Sequence, residues 1–500
     1  MSKKRMLIVT SVILSVVTIS LGIVKLYQTY ALSNYIGTVT DTGIDVYIND
    51  DSYVSIPANG SSNVYYMLTN TNPGTVKYGV AYQTTSGVTV KVYDTSEDPA
   101  TGTIEENDKK YIKLHLENKN STNKTIELST VLGYENGGDL VVPSGVTLVT
   151  DTYTPPPTAA EYITKLYTTA SKTTATNNGI TYNYANIYDT DSDDNTNGGL
   201  MNDRLGGTTT SLDGGNIRYY GASPNNYIYF NCSDYSNQTS STCETWRIIG
   251  VFDGKLKLIR GSQIGKYSWD NKNTSTGAED GWGKNDWTTA RLMKLLNPSN
   301  YYTVDSNDNN LGQSLYYNSA SGKCYSGKNN ATVDCDFTST GIKNDETRNM
   351  IAETTYNLGG WNSNSVYPNQ IYGYERGTTV YTGRPTTPWT GKIALAYPSD
   401  YGYAADFSKC KQTLNSYSDS TCTSNNWMKA IITNNGNNYG WLLTPYSSSS
   451  DSAWYVYSDG YVSHYFAVGA YGVAPVLYLS SELGIESGDG SSSKPYKLSA

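Results

Sequence analysis

The first strong hydropathy signal is an unbroken uncharged stretch rich in apolar residues. Residues 6–24 carry no charge and include Leu7, Ile8, Val9, Val12, Ile13, Leu14, Val16, Val17, Ile19, Leu21 and Ile23, directly after Lys3, Lys4 and Arg5. At about 1.5 Å of rise per residue, a helix over this stretch reaches roughly 28 Å, close to a bilayer core. The pattern predicts a membrane helix in an N-terminal segment 1–31. It is either retained as a single-pass anchor or cleaved as a signal near Thr29-Tyr30-Ala31. The basic tip would stay cytoplasmic and the rest would be exported, giving a membrane-anchored protein with an extracellular C-terminal part, or a secreted one if cut near Ala31.

From 32 to 150 the period changes to two. Runs at 65–68, 77–82, 88–93, 111–117 and 125–131 alternate between apolar and polar residues and are broken by turn residues. In 111–117, Ile112, Leu114 and Leu116 share one face while Lys113, His115 and Glu117 share the other. An all-β antiparallel sandwich is predicted, with His115 on its solvated face. The patterning resembles the immunoglobulin-like stalk modules of bacterial surface proteins. Segment 151–212 reads as a linker. Thr154-Pro155-Pro156-Pro157-Thr158 stiffens it, a short helix follows over 159–169, and a soft Asn-, Asp-, Gly- and Thr-rich stretch runs from 174 to 212. Asp189, Asp191 and Asp193 open like a calcium loop. The loop pattern then fails at Asp194 and Leu200, so a solvated acidic loop is expected.

Beyond residue 213 the signals become mixed. Strands over 246–251 and 256–260 flank Asp253-Gly254, a hairpin turn pair. Asn285 or Asp286 can cap a helix over 287–296 that Asn297-Pro298 ends, and a second helix is expected over 345–358, stopped by Gly359-Gly360. Short strands at 392–397, 441–444, 454–457, 461–465 and 473–479 complete an α+β domain over 213–500.

Composition narrows the function. With 36 basic and 45 acidic residues the formal charge is −9, which argues against a nucleic-acid partner. Only two histidines, His115 and His464, occur, so His-ligated metal catalysis and His-based triads are disfavoured, and no cofactor follows from the residues. The 47 tyrosines against five phenylalanines, with abundant Ser, Thr, Asn and Gly, describe a β-rich, uncharged surface. The six cysteines fall into local pairs, Cys232 with Cys243, Cys324 with Cys335 and Cys410 with Cys422. Fifteen connectivities are open to six cysteines, and spacing favours this local one, which agrees with export.

The strings DGGNIRYYG (213–221), PNNYIYFNC (224–232), WRIIGVF (246–252), GKIALAYPSDYGYA (391–404), WLLTP (441–445), GVAPVLYL (472–479), and SGDG with PYKL (487–490, 495–498) resemble exported proteins of gut Firmicutes. Their C-terminal domains are similar to the C-type-lectin-like fold, in the branch shared by formylglycine-generating enzymes and by targets of diversity-generating retroelements. Related sequences often carry an Arg where this chain has Ala474, which places any site relying on that arginine in doubt. The resemblance implies a ligand face formed by loops near the end of the chain.

The residues there point the same way. Ser458-Asp459-Gly460 reads as a turn between two strands, with Trp454, Val456 and Val462 on one parity and Tyr455, Tyr457, Tyr461 and Tyr465 on the other. Tyrosine offers a large, rigid, amphipathic area with few torsions to freeze, and Ser, Gly and Asp supply adaptable hydrogen bonds. The expected ligand-binding residues are Tyr446, Asp451, Tyr455, Tyr457, Asp459, Tyr461, Ser463, His464, Tyr465 and Phe466. The window 446–471 lacks Lys, Glu, Gln and Met, four of the five residues that adenine-directed diversification of Asn codons cannot produce, and with the fifth, Trp454, as an unmutated position the face is also a candidate for hypervariation.

The expectation is therefore a surface ligand-binding protein, adhesin- or receptor-like and not an enzyme, with an extracellular glycan or protein as partner and the membrane as its anchor. The first alternative is a structural envelope or filament component. The second is an extracellular carbohydrate-active enzyme drawing its carboxylates from Asp270, Glu279, Asp280, Asp286, Asp400 and Asp406.

Overall fold

The computed structural model describes residues 32–499 except 40–44, 49–52, 71–73, 134–139, 141, 188–196, 206–214, 272–281, 305–311, 328–332, 382–383 and 386–387. The chain divides into two compact units, Met1–Pro156 and Pro157–Ala500.

In the first unit, one sheet runs in the order Thr152–Tyr153, Val88–Tyr93, Lys109–Asn118, Gly60–Asn70, Leu32–Val39 and Asp45–Ile48. The other runs Val146–Leu148, Val76–Gln83, Lys124–Gly133 and Tyr53–Ile56, with Thr101–Ile104 beside Val76–Gln83. Alternation explains the packing. Ile112, Leu114 and Leu116 point into one core with Val64, Tyr66, Leu68, Val80, Ile126 and Leu128 from both sheets, the arrangement of a β-sandwich. His115 lies on the opposite face, as its parity requires, but it is not solvated. Tyr153 stacks on it at 3.7 Å between ring centroids, its Nδ1 lies 2.8 Å from the Asn63 amide oxygen, and burial lowers its pKa.

The second unit is also dominated by strands. Its main sheet orders Ser171–Asn177, Ile180–Asn186, Gly199–Asn202, Ile217–Tyr220, Glu244–Phe252, Lys255–Arg260, Val476–Tyr478 and Ile393–Ala394, with Tyr227–Phe230 against Glu244–Phe252. A second sheet orders Lys266–Ser268, Ala470–Gly472, Gly440–Pro445, Ser452–Val456 and Val462–Phe466. The expected Asp-Gly hairpin is present, with Asp253 at φ 48° and Gly254 at φ 72°. These left-handed values match the turn to the twist of the strands it joins.

Several expectations are corrected here. Among the described residues no helix is long and apolar enough to cross a membrane. The helix expected over 6–24 lies outside those residues, so the single-pass membrane assignment and the N-terminal membrane helix are withdrawn. The α+β description of 213–500 also gives way to a mostly β one, because the helices are short. The helix expected over 345–358 stops at Met350, and Thr354–Tyr356 turns into a strand paired with Trp389–Gly391, as its β-branched and aromatic residues favour. The helix expected over 287–296 begins only at Arg291, because Asp286 caps a preceding turn by accepting from Thr288. Helix Ala159–Thr169 has the predicted bounds, held by a capping box between Thr158 and Glu161.

The stretch read as a soft linker supplies the three strands that open the main sheet, two of them joined by an Asn178-Gly179 turn at φ 47° and 73°. The Asp189, Asp191 and Asp193 loop lies outside the described residues. The cysteines pair as Cys232–Cys243, Cys324–Cys335 and Cys410–Cys422, all in the second unit.

Candidate ligand-binding face

The site is built on the Ser452–Val456/Val462–Phe466 hairpin. Its register places Tyr455 opposite Ser463, Ala453 opposite Tyr465 and Trp454 opposite His464. Directly paired residues in an antiparallel ladder share a face. Tyr455, Tyr457, Ser463 and Tyr465 therefore lie on one side, and Trp454, Val456, Val462 and His464 on the other. The inner side anchors the hairpin, because Trp454, Val456 and Val462 are fully buried.

The outer side is a layered aromatic cluster. Its floor is Trp441 and Tyr455, both buried, with ring centroids 6.1 Å apart. Tyr439, Tyr457 and Tyr471 surround Tyr455 at 5.8, 5.3 and 5.2 Å, and Tyr465 lies 6.3 Å from it. Tyr461 extends the cluster 6.0 Å beyond Tyr457, and its hydroxyl accepts a hydrogen bond from the Asn364 amide at 3.0 Å. Tyr465 is the most open of the set, with 46% of its surface exposed. Burial raises the pKa of Tyr455 and Tyr471, while the hydrogen bond with Tyr457 leads the rise at Tyr439. All three are therefore neutral phenols at physiological pH, able to donate and to accept hydrogen bonds.

The turn is held from beneath. The Tyr457 amide donates to the Tyr461 carbonyl at 2.7 Å, the Tyr461 amide to the Asp459 carboxylate at 3.0 Å, and the buried Tyr401 hydroxyl to the Gly460 carbonyl at 3.0 Å. The loop preceding the hairpin is fixed by one side chain. The Asn285 amide donates to the carbonyls of Tyr446, Ser449 and Ser452 at 3.0, 2.8 and 2.7 Å.

The ten sequence-predicted residues thus separate. Tyr455, Tyr457, Tyr461, Ser463 and Tyr465 come together on the outer face, and Asp459 sits exposed at its turn. Tyr446, His464 and Phe466 belong to the opposite side, where Tyr446 stacks on His464 at 3.4 Å and Phe466 on Trp282 at 4.6 Å. Burial lowers the His464 pKa, partly offset by Asp451. Asp451 is 7% exposed and accepts from the Ser452 hydroxyl at 2.9 Å, so it braces the loop instead of facing solvent. Sequence reasoning missed Tyr439, Trp441 and Tyr471. They enter through a parallel pairing of Gly440 with Gly472, for which no local pattern exists.

Of the candidate catalytic carboxylates, Asp270 caps the backbone amides of Lys284 and Arg291, Asp286 and Asp406 cap the turns that follow them, and Asp400 sits in a buried ionic cluster. Glu279 and Asp280 lie outside the described residues. Among the described residues no group of three or more His, Cys, Asp or Glu side chains is placed to hold a metal ion.

No family model matches the sequence, and no curated protein matches it. Among solved structures, the envelope protein VP37 of White Spot Syndrome Virus is similar over 21% of this chain and 100% of its own, at 12% identity and a TM-score of 0.12. A likeness of that size carries no argument about fold or function.

Proposed function

We propose that the chain is an extracellular ligand-binding protein whose contact surface is the outer face of the 452–466 hairpin. The carrying observation is the layered cluster itself, a buried Trp441–Tyr455 floor under the half-buried rings of Tyr439, Tyr457, Tyr461 and Tyr471 and the open ring of Tyr465. Binding energy concentrates in rigid aromatic side chains set on a packed base, because little side-chain entropy is lost when the ligand arrives. Neutral phenol hydroxyls suit a glycan or an uncharged protein surface, and the three disulfides fit an oxidising compartment.

Diversification over 446–471 would alter ligand choice at Tyr457, Tyr461, Ser463 and Tyr465 and would also reach Tyr455 and Tyr471, while Tyr439 and Trp441 lie outside that window and stay fixed. The test is capture on glycan and protein arrays by the wild type, by Tyr465→Ala, and by Tyr53→Ala, whose tyrosine is 58% exposed in the first unit. Spots lost by Tyr465→Ala and kept by Tyr53→Ala support the reading. Spots that both variants keep sink it.

A further inference from the structure

Beneath the turn of the candidate face lies a buried ionic cluster that the binding reading does not use. Asp400 is on the short helix Pro398–Tyr403 and Lys257 on the strand Lys255–Arg260, and both are fully buried. The Lys257 Nζ lies 2.5 Å from Asp400 Oδ2, and the other carboxylate oxygen, Oδ1, accepts from Arg218 at 2.8 Å. Arg218 in turn donates through Nε to Asp203 at 2.5 Å. The lysine ammonium is walled by the rings of Phe252, Tyr397 and Tyr478 at 5.1, 4.6 and 5.4 Å.

We propose that Lys257 and Asp400 condense into an intramolecular amide, a covalent cross-link between the main sheet and the helix under the hairpin. The reaction needs no partner beyond the two side chains. The ammonium passes a proton to Oδ2, and the freed amine attacks Cγ. The carbonyl electrons move onto Oδ1, where the Arg218 guanidinium is already placed to receive the charge. A second proton passes from nitrogen to Oδ2, the Cγ–Oδ2 bond breaks, and one water leaves while the Cγ–Oδ1 double bond re-forms. One N–H remains on the amide.

Two features favour this outcome over a permanent ion pair. Burial lowers the Lys257 pKa and so favours the neutral amine, although Lys257 and Arg218 outweigh burial at Asp400 and keep its carboxyl below the usual range. Charge balance is also preserved. Before the reaction two cations face two carboxylates, and afterwards Arg218 remains paired with Asp203, so no charge is stranded. Removing one charged pair from a dry site also removes its desolvation cost, which a neutral amide does not carry. The joined residues are 143 positions apart. Tyr401, next to Asp400, donates to the Gly460 carbonyl, so the link would tie the floor of the hairpin turn to the sheet.

The full chain, reduced, denatured and digested with trypsin, is read by mass spectrometry. The expected product is a branched peptide joining 256–260 to 393–409, lighter by one water than the sum of its parts and uncut after Lys257. Lys257→Arg, which has no amine to condense and whose folding is checked by tryptophan fluorescence before digestion, should give linear peptides alone. Cleavage after Lys257 in the wild type, together with a linear 393–409 peptide in full yield, would overturn the proposal.

Discussion

Two tyrosines on one face of the hairpin have opposite duties. Tyr455 is 3% exposed and wedged among Trp441, Tyr439, Tyr457 and Tyr471, whereas 46% of Tyr465 is open. Truncating a buried aromatic leaves a cavity and costs about 3–5 kcal/mol. Truncating an exposed one usually changes stability by less than about 0.5 kcal/mol. Urea unfolding should therefore show a large loss for Tyr455→Ala and almost none for Tyr465→Ala, while the second loses ligand. Equal stability losses would mean that the floor and rim are misassigned.

Glu375 makes a pH prediction. It is fully buried and accepts from the amide and hydroxyl of Ser399 at 2.9 and 2.6 Å; burial raises its pKa from 4.5 to about 7, against the opposing pull of Arg376. The folded unit then holds a proton that the unfolded chain has released, so this residue's contribution is full below pH 4.5 and is lost as pH rises to about 7. At about 1.4 kcal/mol per pKa unit the loss is on the order of 3 kcal/mol. Glu375→Gln should gain stability over the wild type at pH 8 and lose that advantage at pH 5. A pH-independent difference between the two would contradict the assignment.

Turns decide how the strands align. Gly254 has φ 72° with open space where a Cβ would sit, so alanine there meets only the left-handed penalty of roughly 1–2 kcal/mol. Gly460 has φ 102° and is crowded as well: a Cβ there would lie 3.1 Å from the Tyr417 carbonyl, 3.1 Å from Thr423 Cγ2 and 3.2 Å from the Tyr401 hydroxyl. Gly460→Ala should cost more than Gly254→Ala in thermal unfolding and should also weaken ligand capture, because it shifts the Tyr457–Tyr461 turn. The reverse order would show that the turn is not held from beneath.

The same contrast explains what could be read from the chain. Asp253-Gly254 and Ser458-Asp459-Gly460 are local signals, and the hairpins they predict are found, as are the helix over 159–169 and the parity that separates Tyr455 from Trp454. Asn178-Gly179 is an equally local signal, yet the polar residues around it read as linker because that strand pair exposes one edge of the sheet. Local patterning overestimates helix length where strand formers such as Thr354 and Thr355 find a partner far along the chain. The missing half of the candidate face depends on Gly440 meeting Gly472, a non-local pairing.

At the scale of the whole molecule, the two units can be followed separately. All nine tryptophans and all three disulfides lie beyond residue 157. Loops of 11 or 12 residues are closed by the disulfides, worth about 3 kcal/mol each in the chain-entropy picture. Reduction should lower the melting temperature seen by tryptophan fluorescence and leave unfolding of the first unit, followed in residues 32–156 expressed alone, unchanged. A reductant-sensitive transition in that cysteine-free fragment would contradict this division.

The most direct test of the ligand-binding account is the equilibrium affinity of the Tyr457→Ala/Tyr465→Ala double variant for whatever ligand the wild type captures, measured beside Tyr53→Ala. Loss of two aromatic contacts at a binding centre costs at least about 2 kcal/mol, or roughly 30-fold in Kd, whereas Tyr53→Ala should match the wild type. Wild-type affinity in the double variant, with the fold intact by tryptophan fluorescence, would place the contact surface elsewhere on the molecule.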